Sequence, residues 1–236
     1  MIDIHSHLLF GVDDGAKTLE ESLEMLKIAE MQGITAMILT PHYRRQMFAY
    51  PTEEIEKHFA RLKAEANRQN IGVKLYLGTE FHVNSSIIEY LQNGRCKTLA
   101  ETNYVLAEYK HDSEYSYIKS SVEDLLLHGY IPIIAHVERY DALQDLNRID
   151  TLRDIGAMVQ VNADAVLGMH GLKIKGYVKK LLKNGYVDFV ASDCHGIRER
   201  GNNLGKCRDY LYKKYSSAYV DDILEQNAWT LLESAE

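Results

Sequence analysis

The chain opens with MIDIHSH, residues 1–7, which joins a short apolar run to two histidines. Alternate residues of a β-strand project to the same face, so His5 and His7 at a strand end can chelate one ion. The same spacing returns near the other end of the chain, where Asp193 and His195 follow a second apolar run. Two separated copies of one arrangement predict a metal site built at the ends of strands.

Most of the other apolar runs also end near a polar residue that can bind a metal. The runs at 36–39, 73–77, 104–107, 131–135 and 158–161 lead to His42, Glu80, Glu108, His136 and Asn162. Helical patterns lie between the runs, at 18–32, 52–70, 85–92, 117–128, 142–155, 172–183 and 203–215. Strands joined by helical crossovers run parallel, and the carboxyl ends of parallel barrel strands converge on one mouth. About seven such units fit the chain, which predicts an α/β fold, a distorted TIM-like (β/α)7 barrel.

Composition agrees with one domain over residues 1–236. The 236 residues are 46% hydrophobic, which is enough to bury one substantial core, and no linker or low-complexity stretch interrupts them. Cys96, Cys194 and Cys207 form no Cys-x-x-Cys pair, which argues against a thiolate zinc site or a disulfide framework.

Charge and hydropathy exclude some partners. A formal net charge of -7 argues against broad nucleic-acid binding, which needs a surplus of lysine and arginine. The chain begins without a signal-peptide pattern, and no run approaches the roughly 20 apolar residues that span a bilayer. We therefore expect a cytoplasmic protein that binds no nucleic acid and does not insert into a membrane.

Several motifs together resemble the PHP (polymerase and histidinol phosphatase) superfamily. They are DIHSH at 3–7, GVDDGA at 11–16, TPH at 40–42, Glu80, AHVERY at 135–140 and ASDCH at 191–195. More narrowly, the chain resembles the bacterial manganese-dependent protein-tyrosine phosphatases encoded in capsule and exopolysaccharide loci. The likeness extends over nearly the whole chain, and DDGA and HxERY are its more specific parts.

The resemblance implies a PHP fold with three divalent ions, manganese being the expected metal and iron or zinc the alternatives. By matching position, one ion is held by His5, His7, Glu80 and Asp193, a second by Glu80, Glu108 and His136, and a third by Asp14, His42 and His195. Imidazole and carboxylate ligands without thiolate suit any of these metals. Each residue could separately be a helix cap, a surface ion pair or a structural histidine, but those explanations leave the shared strand-end placement unexplained.

The resemblance also marks Arg139 and Arg200 as catalytic residues that bind phosphate. A planar guanidinium can bind two phosphate oxygens at once. Arg198 is a near neighbour that could replace Arg200, and Arg139 could instead form a surface ion pair with Glu138 or Asp141.

The function implied by the resemblance is hydrolysis of phosphotyrosine on a bacterial tyrosine autokinase, which regulates capsular and exopolysaccharide synthesis. Basic and aromatic residues at 43–48 could grip an acidic phosphotyrosine peptide, or could form a solvated turn. Three alternatives stay open. They are a phosphoesterase for a small phosphomonoester such as histidinol phosphate, a nucleic-acid phosphodiesterase, and a non-catalytic docking subunit of a kinase or polymerase complex.

Cys194 and Arg200 have the spacing found in cysteine-dependent tyrosine phosphatases. In that loop a glycine usually lies three residues after the cysteine, where this chain has Ile197. Strand alternation also points Cys194 away from the face shared by its two neighbours, so we predict that Cys194 is not a nucleophile. The remaining histidines are expected to be structural or solvated: His58, His82, His111, His128 and His170.

Overall fold

The computed structural model describes residues 1–44, 47–48 and 50–234. Strands and helices alternate along the chain. The strands are β1 (Ile2–Ser6), β2 (Ala36–Leu39), β3 (His42–Tyr43), β4 (Lys74–Leu77), β5 (Glu80–His82), β6 (Tyr104–Glu108), β7 (Ile131–Ile134), β8 (Met158–Asn162) and β9 (Phe189–Ala191). The helices are α1 (Leu19–Met31), α2 (Thr52–Arg68), α3 (Ile87–Gln92), α4 (Tyr115–Leu127), α5 (Leu146–Asp154), α6 (Ala163–Leu167), α7 (Leu172–Lys183), α8 (Leu204–Tyr212), α9 (Ser217–Asp221) and α10 (Asn227–Glu233).

These strands pair in parallel, in the orders β1-β2-β4 and β3-β5-β6-β7-β8-β9. Two residues separate β2 from β3, and two separate β4 from β5, so each pair fills one position of the barrel. The nine strands of the described ranges thus fill seven positions. β9 and β1 close the ring, because Asp193 N donates to His5 O and His7 N donates to Cys194 O, both at 2.9 Å. The predicted distorted (β/α)7 barrel is confirmed.

The interior of the barrel is filled with apolar side chains. Ile2 and Ile4 of β1 pack in one buried cluster with Ile38, Ile133 and residues of α10. A larger cluster lies between the strands and the surrounding helices. Burial on both faces is typical of parallel barrel strands, and the strands are accordingly mostly apolar.

Some helices begin where the sequence pattern predicts, and others do not. Thr18 caps α1, at the start of the predicted helical pattern 18–32, with its Oγ1 accepting from Glu21 N at 3.2 Å. The predicted helix at 142–155 begins late, because Asp141–Leu143 forms a 3-10 turn and Asp145 caps α5 by accepting from Asn147 N. Within the described ranges, no helix combines the length and hydropathy that a membrane span requires.

Candidate metal centre

The side chains proposed as metal ligands converge at the carboxyl ends of the barrel strands. His5, His7, His42, Glu80, Glu108, His136, Asp193 and His195 lie in or shortly after the strands, and all of them are buried. Asp14 comes from the loop between β1 and α1 and is exposed. The barrel therefore brings together the side chains that the sequence assigned to one mouth.

Donor atoms from these side chains form three groups, and within each group they lie within 4.8 Å of one another. The groups are His7, Asp14, His42 and His195; His5, His7 and Asp193; and His42, Glu80 and Glu108. Because His7 and His42 each belong to two groups, the donors form one continuous cluster. The first group contains the three residues predicted for the third ion, with His7 added.

Glu80 lies at the centre of the cluster. Its Oε1 is 2.8 Å from His136 Nε2 and 3.3 Å from His5 Nε2, and its Oε2 is 3.2 Å from His7 Nε2. Burial raises the pKa of a carboxyl group, but the surrounding imidazoles, led by His5 and His42, hold the pKa of Glu80 well below its usual value. Glu80, which the resemblance assigns to two of the ions, is therefore ionised among several imidazoles.

Glu108 lies at one edge of the cluster. Its Oε2 is 4.0 Å from His42 Nδ1 and 3.1 Å from His82 Nδ1. His82, grouped above with the histidines outside the site, thus contacts a proposed ligand. The signal that could have placed it is its position in β5, two residues after Glu80 and therefore on the same face.

The outer ring nitrogens of three histidines are held by fixed partners. His7 Nδ1 is 2.8 Å from Asp13 Oδ2, His195 Nδ1 is 2.9 Å from Asp193 O, and His136 Nδ1 is 3.1 Å from the Tyr140 hydroxyl. Histidines that bind metals almost always have the second nitrogen held in this way, which orients the first toward the ion. No role was predicted for Asp13 or Tyr140, although both lie inside the GVDDGA and AHVERY motifs.

Three buried atoms of the cluster have no hydrogen-bond partner within the part of the chain that the structure describes: His42 Nδ1, Glu80 Oε2 and His195 Nε2. His42 Nδ1 and Glu80 Oε2 are 2.8 Å apart, but their angles do not make a hydrogen bond. The Nε2 atoms of His5 and His7 also face each other at 3.2 Å. Buried polar atoms without partners are costly, and such nitrogens and oxygens are good ligands for divalent cations. The donor set therefore fits divalent ions.

The DDGA segment shapes the loop that carries Asp14. Gly15 is required there, because a Cβ atom at this position would lie 1.9 Å from His7 O. Asp13 accepts from Gly15 N at 2.8 Å and from His42 N at 3.0 Å. The loop is thereby fixed so that Asp14 Oδ1 lies 3.4 Å from His195 Nε2.

Both predicted arginines reach the cluster. Arg139 Nη2 donates to Asp193 Oδ2 at 2.6 Å, rather than forming the alternative surface pair with Glu138 or Asp141. Arg200 lies 3.4 Å from both Asp14 Oδ2 and Asp193 Oδ1. Although burial opposes ionisation, His5 and Arg139 hold the pKa of Asp193 well below its usual value.

The backbone around Asp193 differs from the predicted strand. β9 ends at Ala191, and Asp193 has a left-handed φ of 50°, so simple strand alternation does not describe residues 193–195. The conclusion about Cys194 nevertheless agrees with the structure, because its side chain packs in the apolar core and burial raises its pKa to about 12. A thiol in that state is a poor nucleophile at neutral pH.

We expect Cys194→Ala to keep at least half of the wild-type turnover, because the thiol packs in the apolar core and its raised pKa keeps it neutral. Steady-state phosphatase rates on protein that is folded by circular dichroism test this. Iodoacetamide is expected not to inhibit the wild type. A loss of several orders of magnitude in folded Cys194→Ala would instead support a thiolate mechanism.

Two cavities open beside the cluster. One has a volume of about 630 Å³ and is called the Arg139 cavity here; its lining includes Glu108, His136, Arg139, Lys110 and Lys173. The other, of about 540 Å³, is lined by residues that include Asp14, His195, Arg198 and Arg200. A substrate could therefore approach the cluster through the cavity beside Arg139 or through the cavity beside Arg200.

The described residues of the loop at 43–48 have different environments. Tyr43 is buried and stacks on Phe81, so it cannot grip a substrate. Phe48 stacks on the ring of His42 at 5.2 Å, and Arg44 lines the Arg139 cavity. Arg45 and Gln46, which belong to the same prediction, lie outside the described residues.

Fold and site together define a class of protein, an α/β barrel with a candidate metal centre at the carboxyl ends of its strands. A solved structure of a phosphotriesterase homology protein from Escherichia coli shares this fold, with a TM-score of 0.60 at 14% identity over 98% of each chain.

The family model described as capsular polysaccharide synthesis, CpsB/CapC, matches residues 1–233. The tyrosine-protein phosphatase CpsB of Streptococcus pneumoniae is 33% identical over 233 residues, covering 96% of this chain and 96% of its own. A solved structure from work on YwqE of Bacillus subtilis and CpsB of Streptococcus pneumoniae, described as unique metal-dependent tyrosine phosphatases, has a TM-score of 0.93 at 29% identity and covers 100% of this chain and 96% of its own. The chain belongs to the CpsB/CapC family.

Proposed function

We propose that this chain is a metal-dependent protein-tyrosine phosphatase that acts in capsular and exopolysaccharide synthesis. The observation that carries the proposal is the convergence of Arg139 and Arg200 on a buried cluster of imidazoles and carboxylates. The names of its relatives, tyrosine-protein phosphatases, support the same activity. The proposed substrate is a phosphotyrosine on a bacterial tyrosine autokinase, and the proposed site of the reaction is the cytoplasm.

The proposed centre holds three divalent ions, with manganese as the expected metal. The ligands are those assigned above: His5, His7, Glu80 and Asp193 for one ion; Glu80, Glu108 and His136 for the second; and Asp14, His42 and His195 for the third. When bound, such ions activate water and stabilise the charge that develops on a transferring phosphoryl group. The unpaired atoms His42 Nδ1, Glu80 Oε2 and His195 Nε2 support this assignment.

Arg139 and Arg200 would bind the phosphate itself. Among the described residues, the Arg139 side chain donates a hydrogen bond to Asp193 alone. The other N–H groups of its guanidinium are therefore available to phosphate oxygens. The side chain of Arg139 lies at the edge of the Arg139 cavity and is 35% exposed. A phosphate there would meet a guanidinium that is already oriented by Asp193, which lowers the entropy lost on binding.

The Arg139 cavity suits an aryl phosphate attached to a peptide. Its volume of about 630 Å³ exceeds what one tyrosyl side chain needs. Its lining mixes the aromatic Tyr109, the apolar Ile174 and the cations Lys110 and Lys173. The phenol of tyrosine has a pKa near 10, so phenolate leaves more readily than an alkoxide, and no dedicated proton donor is assigned.

A comparison of substrates tests the proposal. We expect kcat/KM for a phosphotyrosine peptide to exceed that for histidinol phosphate and for a nucleic-acid phosphodiester by about 10²-fold or more, because the cavity contacts the peptide beyond the phosphate. The matched control is the same peptide with phosphoserine in place of phosphotyrosine.

Each alternative function has its own outcome in that comparison. A preference for histidinol phosphate would establish a small-molecule phosphoesterase, and a preference for the diester would establish a nuclease-like enzyme. Protein that carries metal but hydrolyses none of the substrates would support a docking subunit.

A further inference from the structure

Strand β8 supplies none of the proposed ligands, yet it places two buried amide side chains beside them. Gln160 is fully buried and Asn162 is 2% exposed. They are two residues apart in the same strand, so both project toward the cluster. Buried amides need several hydrogen-bond partners, and their choice of partners shows what they do.

The two amides form one chain of hydrogen bonds between proposed ligands. Gln160 Oε1 accepts from His136 N at 2.8 Å, and Gln160 Nε2 donates to Asn162 Oδ1 at 2.8 Å. Asn162 Nδ2 then donates to Asp193 Oδ2, also at 2.8 Å. The chain therefore links the backbone of one proposed ligand to the carboxylate of another.

The direction of these hydrogen bonds is fixed at both ends. A backbone N–H can only donate, so the Gln160 atom beside His136 N must be the oxygen. At the other end, ionised Asp193 can only accept, so the Asn162 atom beside it must be the amide nitrogen. The middle hydrogen bond between the two amides agrees with both assignments. Flipping either amide would place two donors or two acceptors opposite each other.

This direction determines the tautomer of His5. Gln160 Oε1 also lies 3.2 Å from His5 Nδ1, and because that oxygen can only accept, Nδ1 must carry the hydrogen. His5 Nε2 then faces the cluster, 3.3 Å from Glu80 and 3.5 Å from Asp193. In a neutral imidazole this leaves the Nε2 lone pair aimed at the position an ion would take.

The same chain orients Asp193. Asn162 and Arg139 both donate to its Oδ2, so Oδ1 is the oxygen that faces inward, 3.5 Å from His5 Nε2 and 3.4 Å from His7 Nε2. The amide pair thus acts on two ligands of the same proposed ion.

We propose that Gln160 and Asn162 are positioning residues, which fix the tautomer of His5 and the orientation of Asp193 for metal binding. The inference rests on the proposed metal centre and deepens it. Partners of this kind, one step removed from the ion, typically contribute 10- to 100-fold in metal affinity.

Metal affinity of stripped protein, measured by competition with a chelator of known affinity, tests the inference. We expect Gln160→Met and Asn162→Leu each to bind manganese about 10- to 100-fold more weakly than wild type. The double variant should lose less than the product of the two single losses, because either change breaks the same chain.

Gln32→Met is the matched control. Gln32 also uses both ends of its amide, donating to Asn202 O at 2.8 Å and accepting from Gly205 N at 2.7 Å, but it joins α1 to α8 away from the cluster. It should lower the melting temperature while leaving manganese affinity within about twofold. The contrast separates positioning from general stability.

Wild-type manganese affinity in Gln160→Met that is folded by circular dichroism would overturn the inference. If Gln160→Met does not fold, Asn162→Leu decides by the same criterion. The proposed function can fail separately, since wild-type protein that binds manganese but does not hydrolyse phosphotyrosine peptide would leave the positioning result intact.

Discussion

Removal of divalent metal is expected to abolish hydrolysis of a phosphotyrosine peptide, and added manganese is expected to restore it. The buried cluster holds the donors for such ions, and no other residue in the proposal activates water. A metal contributes several kcal/mol to stabilising the transition state, so the loss should be about 10³-fold or more. The measurement is the initial rate before and after chelation and dialysis.

Separate additions of manganese, zinc and iron control for the identity of the metal, because ligands of this type bind all three. Chelated protein should remain folded by circular dichroism, so that lost activity is not lost structure. Full turnover in protein that elemental analysis shows to be free of metal would contradict the proposed mechanism.

Arg139→Ala is expected to lower turnover about 10²- to 10³-fold while leaving the metal content at saturating manganese unchanged, because Asn162 still donates to Asp193 Oδ2. Loss of a charged donor to the transferring phosphoryl group removes about 2.7–4 kcal/mol of transition-state stabilisation. Orthovanadate should also bind more weakly. Rates and elemental analysis on the same preparation measure both effects.

His136→Ala provides the comparison. His136 Nε2 contacts Glu80 within the cluster, so its loss should reduce metal content as well as turnover. Arg198→Ala is the control for a nearby arginine, since Arg198 is exposed beside the second cavity. Near-normal turnover in Arg139→Ala would move the phosphate-binding role to Arg200 or the third ion.

The sequence predicted the barrel because its signals are local. Apolar runs that end in His, Asp or Glu, separated by helical patterns, require parallel strands whose carboxyl ends meet. The interruption between β2 and β3 was not predicted, although Pro41 lacks the N–H that a continuous ladder needs. The assignment of residues 1–236 to a single domain stays a prediction.

The partners behind the candidate ligands were harder to find from the sequence. Gln160 and His5 are 155 positions apart, and the contact between them exists because the ring of strands closes. The left-handed backbone of Asp193 likewise occurs at a residue whose N–H donates to His5 O, 188 positions away, and not at a glycine. Local patterns identify the residues that face the mouth, whereas tertiary structure decides which of them hold one another.

Anomalous diffraction from crystals of manganese-loaded protein would show whether these side chains bind the metal. We expect manganese peaks inside the cluster formed by His5, His7, Glu80, Asp193 and their neighbours, in protein that hydrolyses phosphotyrosine peptide. Fully active protein whose crystals show no metal at these side chains would contradict this expectation.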